Sequence, residues 1–249
     1  MDPLRCTTWL APGLPLGLFE LAADAAADAL GRRAALTSVT ATSGPTAEEP
    51  DPFANGACDL GFLCLPSYRR LRAVDPSPIR LVPAAPVPAD DRCGGQPVYF
   101  AELLVGPSWR RGSARALSDL GGARIGCNDG ESLSGNVALT ERLALLNPHV
   151  EVKRVFTGSH HASLDALGWG ALDAAVVDSN TRLLAGVPPG CTVIEAWGPY
   201  PIQPIVLAAS RFDDGDASAV AAALMAIDGA TLLGTGFIRF AERDAVEPG

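Results

Sequence analysis

Short apolar runs alternate along the chain with longer stretches whose apolar positions recur at helical spacing. Arg5 to Leu10 reads as a first strand, closed by the turn Ala11-Pro-Gly-Leu-Pro15. Leu16 to Leu30 is alanine-rich, and Phe19, Leu21, Ala22, Ala25 and Leu30 suit one helical face. Gly31 is placed to stop that helix. So much alanine predicts a helix lying close on a sheet. Ala35 to Thr42 reads as a second strand, and residues 43–56, rich in Pro, Glu, Asp and Gly, as a loop or a weak helix. Asp59-Leu-Gly-Phe-Leu-Cys-Leu65 is apolar after its first residue, as in a strand covered on both faces. Ile79 to Ala84 is a further strand candidate.

Residues 86–97 form a polar, proline-containing break, after which Val98 to Val105 reads as a strand crossing into a second unit. From there the pattern predicts strand (Ala123–Asn128), helix (Ser134–Leu146), strand (Val150–Phe156) and helix (about 161–168). Strand (Leu172–Val177) and helix (about 179–185) follow. Asn147-Pro148 ends the first of these helices, because the residue before proline disfavours helical backbone. After Thr192 to Trp197, Gly198 to Pro204 reads as a break. Ile205–Ala209 is the next strand, then a helix over about Ala217 to Ile227 and a glycine-rich tail. Strands alternating with helices predict an α/β fold with largely parallel sheets.

Composition narrows the function classes. The 249 residues are 48% hydrophobic and 19% charged, enough for a sizeable core. The net charge of −9 argues against broad attraction to nucleic acid or anionic membranes. Any anion site must therefore be local, built from dipoles and hydroxyls. Tyr68-Arg-Arg-Leu-Arg72 and Trp109-Arg-Arg111 read as solvated loops. Six cysteines, at 6, 58, 64, 93, 127 and 191, form no metal-ligand spacing; Cys58, Cys64, Cys127 and Cys191 read as small hydrophobes, and the even count permits disulfides. No metal or cofactor is expected. Neither a signal peptide nor an uninterrupted apolar stretch of about 18 residues is visible. As written the chain reads as cytoplasmic; one trimmed of an export signal would look the same and be extracytoplasmic.

Two turns carry the candidate chemistry. Cys127-Asn-Asp-Gly-Glu-Ser-Leu-Ser-Gly-Asn136 and Phe156-Thr-Gly-Ser-His-His-Ala-Ser163 each join a strand to a helix through Ser, Thr and Gly. Such turns direct hydroxyls and unpaired N–H groups toward one point, where a small anion fits. Both lie at carboxyl ends of successive strands, where ligands bind in open α/β sheets. Ser132 or Ser134 equally suits a plain helix cap, a lone histidine such as His160 equally suits a structural role, and Asp178 suits either a ligand acceptor or the cap of the next helix.

The chain resembles the phosphate/phosphite/phosphonate-binding proteins of ABC transporters, which have the type 2 periplasmic-binding-protein fold. Carrying the resemblance are Trp9 to Pro15, Asp59 to Tyr68 and Gly95-Gln-Pro-Val-Tyr99. Ser132-Leu-Ser-Gly135, Thr157-Gly-Ser-His160, Leu172 to Ser179 and Pro201-Ile-Gln-Pro204 complete it. It implies two lobes, residues 1–99 with 202–249 and an inserted 100–201, with a hinge and an inter-lobe ligand cleft. It further implies that Ser132, Ser134, Ser159, His160 and the N–H groups of Gly135 and Asn136 hold the anion's oxygens. Thr157 belongs to the same signature, Tyr99 approaches from the hinge, and Asp178 accepts from a protonated oxygen or an amine. The implied partners are a small anionic ligand and an ABC transporter permease.

Several positions depart from that pattern. Leu133 stands where the family has a hydroxyl, Leu63 where several members have an aromatic residue, and Asn180 and Gln203 where amino-phosphonate binders are acidic. The expected site is more apolar than the family's, with Trp9, Trp169, Trp197 and Tyr200 as further lining candidates. The leading expectation is a solute-binding protein that closes over a phosphonate- or phosphite-like anion or a related small acid. An enzyme on the same fold is the alternative, a lyase or biosynthetic one acting on a small carboxylate or aromatic metabolite. It would use His160, His161 and Asp178 as acid/base groups. A partner-binding module with a degenerate site is the third reading, which Leu63 and Leu133 would support.

Overall fold

A computed structural model describes residues 2–11, 13–107, 109 and 113–243. The chain divides into two compact units, Met1–Val98 with Pro201–Gly249, and Tyr99–Tyr200. The first unit opens with β1 (Leu4–Thr8), α1 (Leu16–Ala29), β2 (Ala34–Ser38), β3 (Leu60–Phe62) and α2 (Leu65–Arg72). β4 (Ile79–Leu81) and β5 (Ala84–Pro88) follow, and β6 (Val98–Val105) enters the second unit. That unit contains β7 (Arg124–Cys127), a π-type turn at Leu133–Val137, α3 (Ala138–Ala144), β8 (Lys153–Phe156) and α4 (His160–Gly168). β9 (Ala174–Asp178), α5 (Ser179–Ala185) and β10 (Thr192–Pro201) complete it. The chain returns to the first unit through β11 (Ile205–Ala208), α6 (Asp214–Met225) and β12 (Phe237–Glu242).

In the first unit a five-stranded sheet has the order β2-β1-β3-β11-β4. β1 runs parallel to β2 and β3, and β11 antiparallel to β3 and β4. The alanines of α1 do what their size suggests: Ala22, Ala23, Ala26 and Ala27 are buried, and the helix packs closely on α6 and β2. Gly31, at φ 63°, turns the chain in a left-handed conformation that a side chain would strain. Asp59 is fully buried before β3, and Arg5 (2.9 Å) and Arg211 (2.7 Å) neutralise it.

The second unit is built on the sheet order β10-β6-β9-β7-β8. β7 lies parallel to β8 and β9, and β6 antiparallel to β9. Successive residues alternate between two apolar layers. Leu103, Ile125, Val176 and Trp197 belong to one, and Leu104, Ala175, Val177, Leu164 and Leu167 to the other. Both faces are thus covered, which leaves the strand ends as the place for polar chemistry.

Six expectations are corrected. The sheets are mixed, because the crossing strands β6 and β11 run against their neighbours. Residues 65–72 are the helix α2, whose buried Leu65, Tyr68 and Leu71 recur every three residues beneath the arginines. The break after Ala84 starts late, since Pro86 and Pro88 lie in β5, paired with β12 of the supposed tail. Proline is tolerated in such a two-stranded edge arrangement. β10 likewise continues through Gly198 and Pro199 to Pro201. The helix expected at Ser134 opens with the π-type turn and becomes regular only at Ala138. Trp109 is half-buried against the core rather than solvated. Pro12 of the first turn, Arg110, Arg111 and residues 244–249 lie outside the described residues.

All six cysteines are free. Burial pushes the Cys6 and Cys58 thiols up to about 12 and Cys127 to about 11, as expected of apolar packing groups. Among the described residues no helix is long and apolar enough to cross a membrane.

Candidate anion-binding site

Three parallel strands of the second unit end side by side. Cys127 of β7 pairs with Phe156 of β8, and Gly126 pairs with Ala175 of β9. The ladder runs on into the loops, where the Thr157 and Gly158 N–H groups donate to the Cys127 and Asn128 carbonyls, each at 2.8 Å. The turns after β7 and β8 are therefore fixed beside each other before any ligand arrives.

In the first turn Ser132 caps the π-type segment, its Oγ accepting from the Gly135 N–H at 3.1 Å. Its carbonyl accepts from the N–H groups of Asn136 (3.1 Å) and Val137 (3.0 Å). The Gly135 and Asn136 N–H groups, expected to hold the anion, are thus engaged within the turn. A Cβ at Gly135 would sit 1.7 Å from Asn128 Oδ1, so with the Asn128 side chain in place the turn has no room for a larger residue there. Ser132, Leu133 and Ser134 are each 2% exposed. The Asn136 side chain donates to the Gly130 carbonyl at 3.0 Å.

In the second turn Ser159 caps α4, accepting from the Ala162 N–H at 3.0 Å. The Thr157 hydroxyl faces inward, 3.1 Å from the Cys127 carbonyl, 3.0 Å from that of Ser159 and 2.6 Å from Ser163 Oγ. It staples the turn. His160 is buried at the start of α4 with Nε2 3.4 Å from Ser134 Oγ, and Nδ1 has no partner. Burial, with a smaller contribution from His161, lowers the His160 pKa to about 3. The ring is neutral at pH 7, offering one donor and one acceptor, and is poorly matched to acid/base work there.

The third turn follows β9. Asp178 is 2% exposed and caps α5, accepting from the Asn180 N–H at 2.7 Å. Asn180 is equally buried, and neither Oδ1 nor Nδ2 has a partner. Ala101 pairs with Asp178, and the Phe100 N–H donates to Ser179 Oγ at 3.1 Å, which brings buried Tyr99 to the same edge. Its ring lies 6.2 Å from that of Tyr200. Behind the turn Arg182 grips fully buried Glu102 through two bonds of 2.6 and 2.8 Å. Sequence reasoning missed that ion pair; a lone acid within the apolar run Val98 to Val105 was its signal.

The second unit thus assembles Tyr99, Ser132, Leu133, Ser134, Gly135, Asn136, Thr157, Ser159, His160, Asp178 and Asn180 along one sheet edge. Trp9, Leu63 and Gln203 belong to the first unit. There Trp9 packs on Phe53 with ring centroids 6.3 Å apart, and Leu63 is fully buried. Gln203 lines a small apolar cavity with Leu14, Phe19, Phe62, Ile205 and Phe240. Trp169 is 82% exposed at the carboxyl end of α4, opposite the end that carries His160, so it lines no pocket at the site. Trp197 is a core residue whose Nε1 donates to Glu195 at 2.6 Å. Among the described residues no group of His, Cys, Asp and Glu is arranged to hold a metal ion. Hydroxyls, a neutral imidazole and an amide at strand ends suit a small oxyanion held by dipoles.

A family model described as the periplasmic substrate-binding protein of phosphonate ABC transporters matches residues 51–248. The binding-protein component of a Pseudomonas aeruginosa ABC phosphonate transporter is 16% identical, with a TM-score of 0.72 over 98% of this chain and 83% of that one. A Prochlorococcus marinus protein solved with methylphosphonate is 14% identical, with a TM-score of 0.69 over 97% of this chain and 93% of its own. A Xanthomonas citri protein solved with chloride is 13% identical, with a TM-score of 0.69 over 98% and 92%. No curated protein matches by sequence. At these identities the likeness is one of fold.

Proposed function

The chain belongs to the periplasmic substrate-binding proteins of phosphonate ABC transporters, and from that membership we propose that it binds a small oxyanion of the phosphonate or phosphite class. It has the type 2 periplasmic-binding-protein fold. The observation that carries the ligand reading is the meeting of Ser134 Oγ and His160 Nε2 at 3.4 Å, two buried polar groups from separate strand ends. That distance is long for a hydrogen bond, so both groups are available for shorter bonds to ligand oxygens. Ser132 and Ser134 hydroxyls donate to the anion, the neutral imidazole adds a third donor, and Tyr99 borders it from β6. Thr157, Ser159 and Asp178 hold the three turns in place. The methylphosphonate complex of the Prochlorococcus protein supports this ligand class.

By the same reading the protein works on the outer side of the cytoplasmic membrane and hands its ligand to an ABC permease. A thermal-shift series tests the ligand class: phosphate, phosphite, methylphosphonate, aminoethylphosphonate, sulfate and small carboxylates. A ligand that binds the native state raises the melting temperature by mass action. A rise with a phosphorus oxyanion is expected. A rise only with carboxylates, or with none of the series, overturns the reading.

A further inference from the structure

Asn180 stands out among the buried polar groups of the second unit. It is 2% exposed, and both ends of its amide lack a hydrogen-bond partner. Buried polar atoms are almost always paired, and two orphans on one side chain carry a double penalty. Its backbone is fixed, since its N–H donates to Asp178 at 2.7 Å, so the side chain is presented from a rigid turn. That turn follows β9, and β9 packs against the turn carrying Ser132 and Ser134. His160 Nδ1 is another buried atom without a partner on the same edge.

An amide offers one donor and one acceptor side by side. A single ligand group satisfies both only if it too presents an acceptor next to a donor. Within the oxyanion class proposed above, on which this inference rests, the singly protonated phosphonate does so through adjacent P–O and P–OH groups. The charge balance agrees. Ser132, Ser134, Ser159, His160 and Asn180 bring no positive charge, Asp178 is acidic, and the nearby Arg182 is already neutralised by Glu102. A dianion would find only dipoles to oppose two charges.

We infer that Asn180 is the specificity-determining residue that selects a monoanion retaining one hydroxyl, its Oδ1 accepting from P–OH while Nδ2 donates to a neighbouring oxygen. A sulfonate has the same charge and nearly the same shape but no hydroxyl, so its complex leaves Oδ1 unpaired. Sites built to bond a substrate hydroxyl reject analogues lacking it strongly.

The test is isothermal titration of the full chain with methylphosphonate and methanesulfonate, in mildly acidic buffer so that the phosphonate keeps one proton. Wild type is expected to prefer methylphosphonate by about tenfold or more. Asn180→Ala should bring the two affinities close together, chiefly by weakening the phosphonate. Asn180→Ser, which puts one hydroxyl acceptor in place of the amide, should retain part of the preference and replaces Asn180→Ala if that variant does not fold. Equal affinities in wild type, or an undiminished preference in a folded variant, overturn the inference while leaving phosphonate binding intact. Failure of wild type to bind either compound overturns the inference, and the thermal-shift series with phosphate and phosphite then decides the reading beneath it.

Discussion

Ser134 Oγ and His160 Nε2 lie 3.4 Å apart across 26 residues of chain, each from the turn after a different strand. Neither is held in place by the other. Ser134 is positioned by the Ser132 cap and Gly135, His160 by the Ser159 cap and the Thr157 staple. The pair is therefore preorganised, and the cost of ordering it is met on folding, not on binding.

Ser134→Ala and His160→Ala should each weaken binding of the thermal-shift ligand about tenfold or more, because each removes a charge-assisted hydrogen bond. Melting temperatures without ligand should change little for Ser134→Ala. Titration calorimetry checks the affinities. Both variants binding like wild type would put the ligand elsewhere.

His160 should make the protein acid-sensitive. Its pKa is lowered from 6.5 to about 3 in the folded state, so the unfolded chain binds the extra proton between those values. Stability then rises with pH across that window: the penalty is absent at pH 7 and grows as pH falls below 6.5. At pH 4.5 it amounts to about 2–3 kcal/mol at roughly 1.4 kcal/mol per pH unit. His160→Gln cannot take up that proton and should lose this part of the acid destabilisation. Urea denaturation of both proteins at pH 7 and pH 4.5 measures it; identical acid losses would refute the assignment.

Gly135→Ala should disrupt the first turn. The added Cβ would meet Asn128 Oδ1 at 1.7 Å, and Asn128 cannot swing away without losing its 2.8 Å bond to Asp129. A cost of about 1–3 kcal/mol is expected for such overpacking. Asn128→Ala removes the obstructing group, so the double variant should recover most of the loss. A double-mutant cycle in denaturation reads the coupling. Simple additivity would show that glycine is needed there for another reason.

Much of this was legible in the chain, for identifiable reasons. α1 announced itself because its alanines and Gly31 carry helical spacing and a stop in adjacent residues. The caps at Ser132 and Asp178 were legible because capping is local chemistry. α2 was hidden because Arg69, Arg70 and Arg72 mask the buried spacing of Leu65, Tyr68 and Leu71. β5 and the end of β10 were hidden by Pro86, Pro88 and Pro199, whose tolerance depends on which edge is paired. Which N–H groups remain open could not be read either, since the Gly135 N–H is taken up by the Ser132 hydroxyl oxygen within the turn.

The ion pair of Glu102 and Arg182 illustrates the same limit, as its partners lie 80 residues apart, and it supports the final prediction. Glu102 is fully buried, whereas the Arg182 side chain keeps 16% of its surface exposed. Arg182→Ala therefore strands a carboxylate without water, while Glu102→Ala leaves a guanidinium that can still reach solvent. Breaking a buried pair costs about 3–5 kcal/mol, and Arg182→Ala should fall at the upper end with Glu102→Ala clearly below it. Replacing both together, as Glu102→Leu with Arg182→Met, should recover most of the stability because no charge is left behind. Since Arg182 anchors the short helix that presents Asn180, both single variants should also bind ligand less tightly while still folded. Urea denaturation with calorimetry on the three variants decides the matter: equal costs for the two single changes, or no recovery in the double, would mean that the helix is held by something other than this pair.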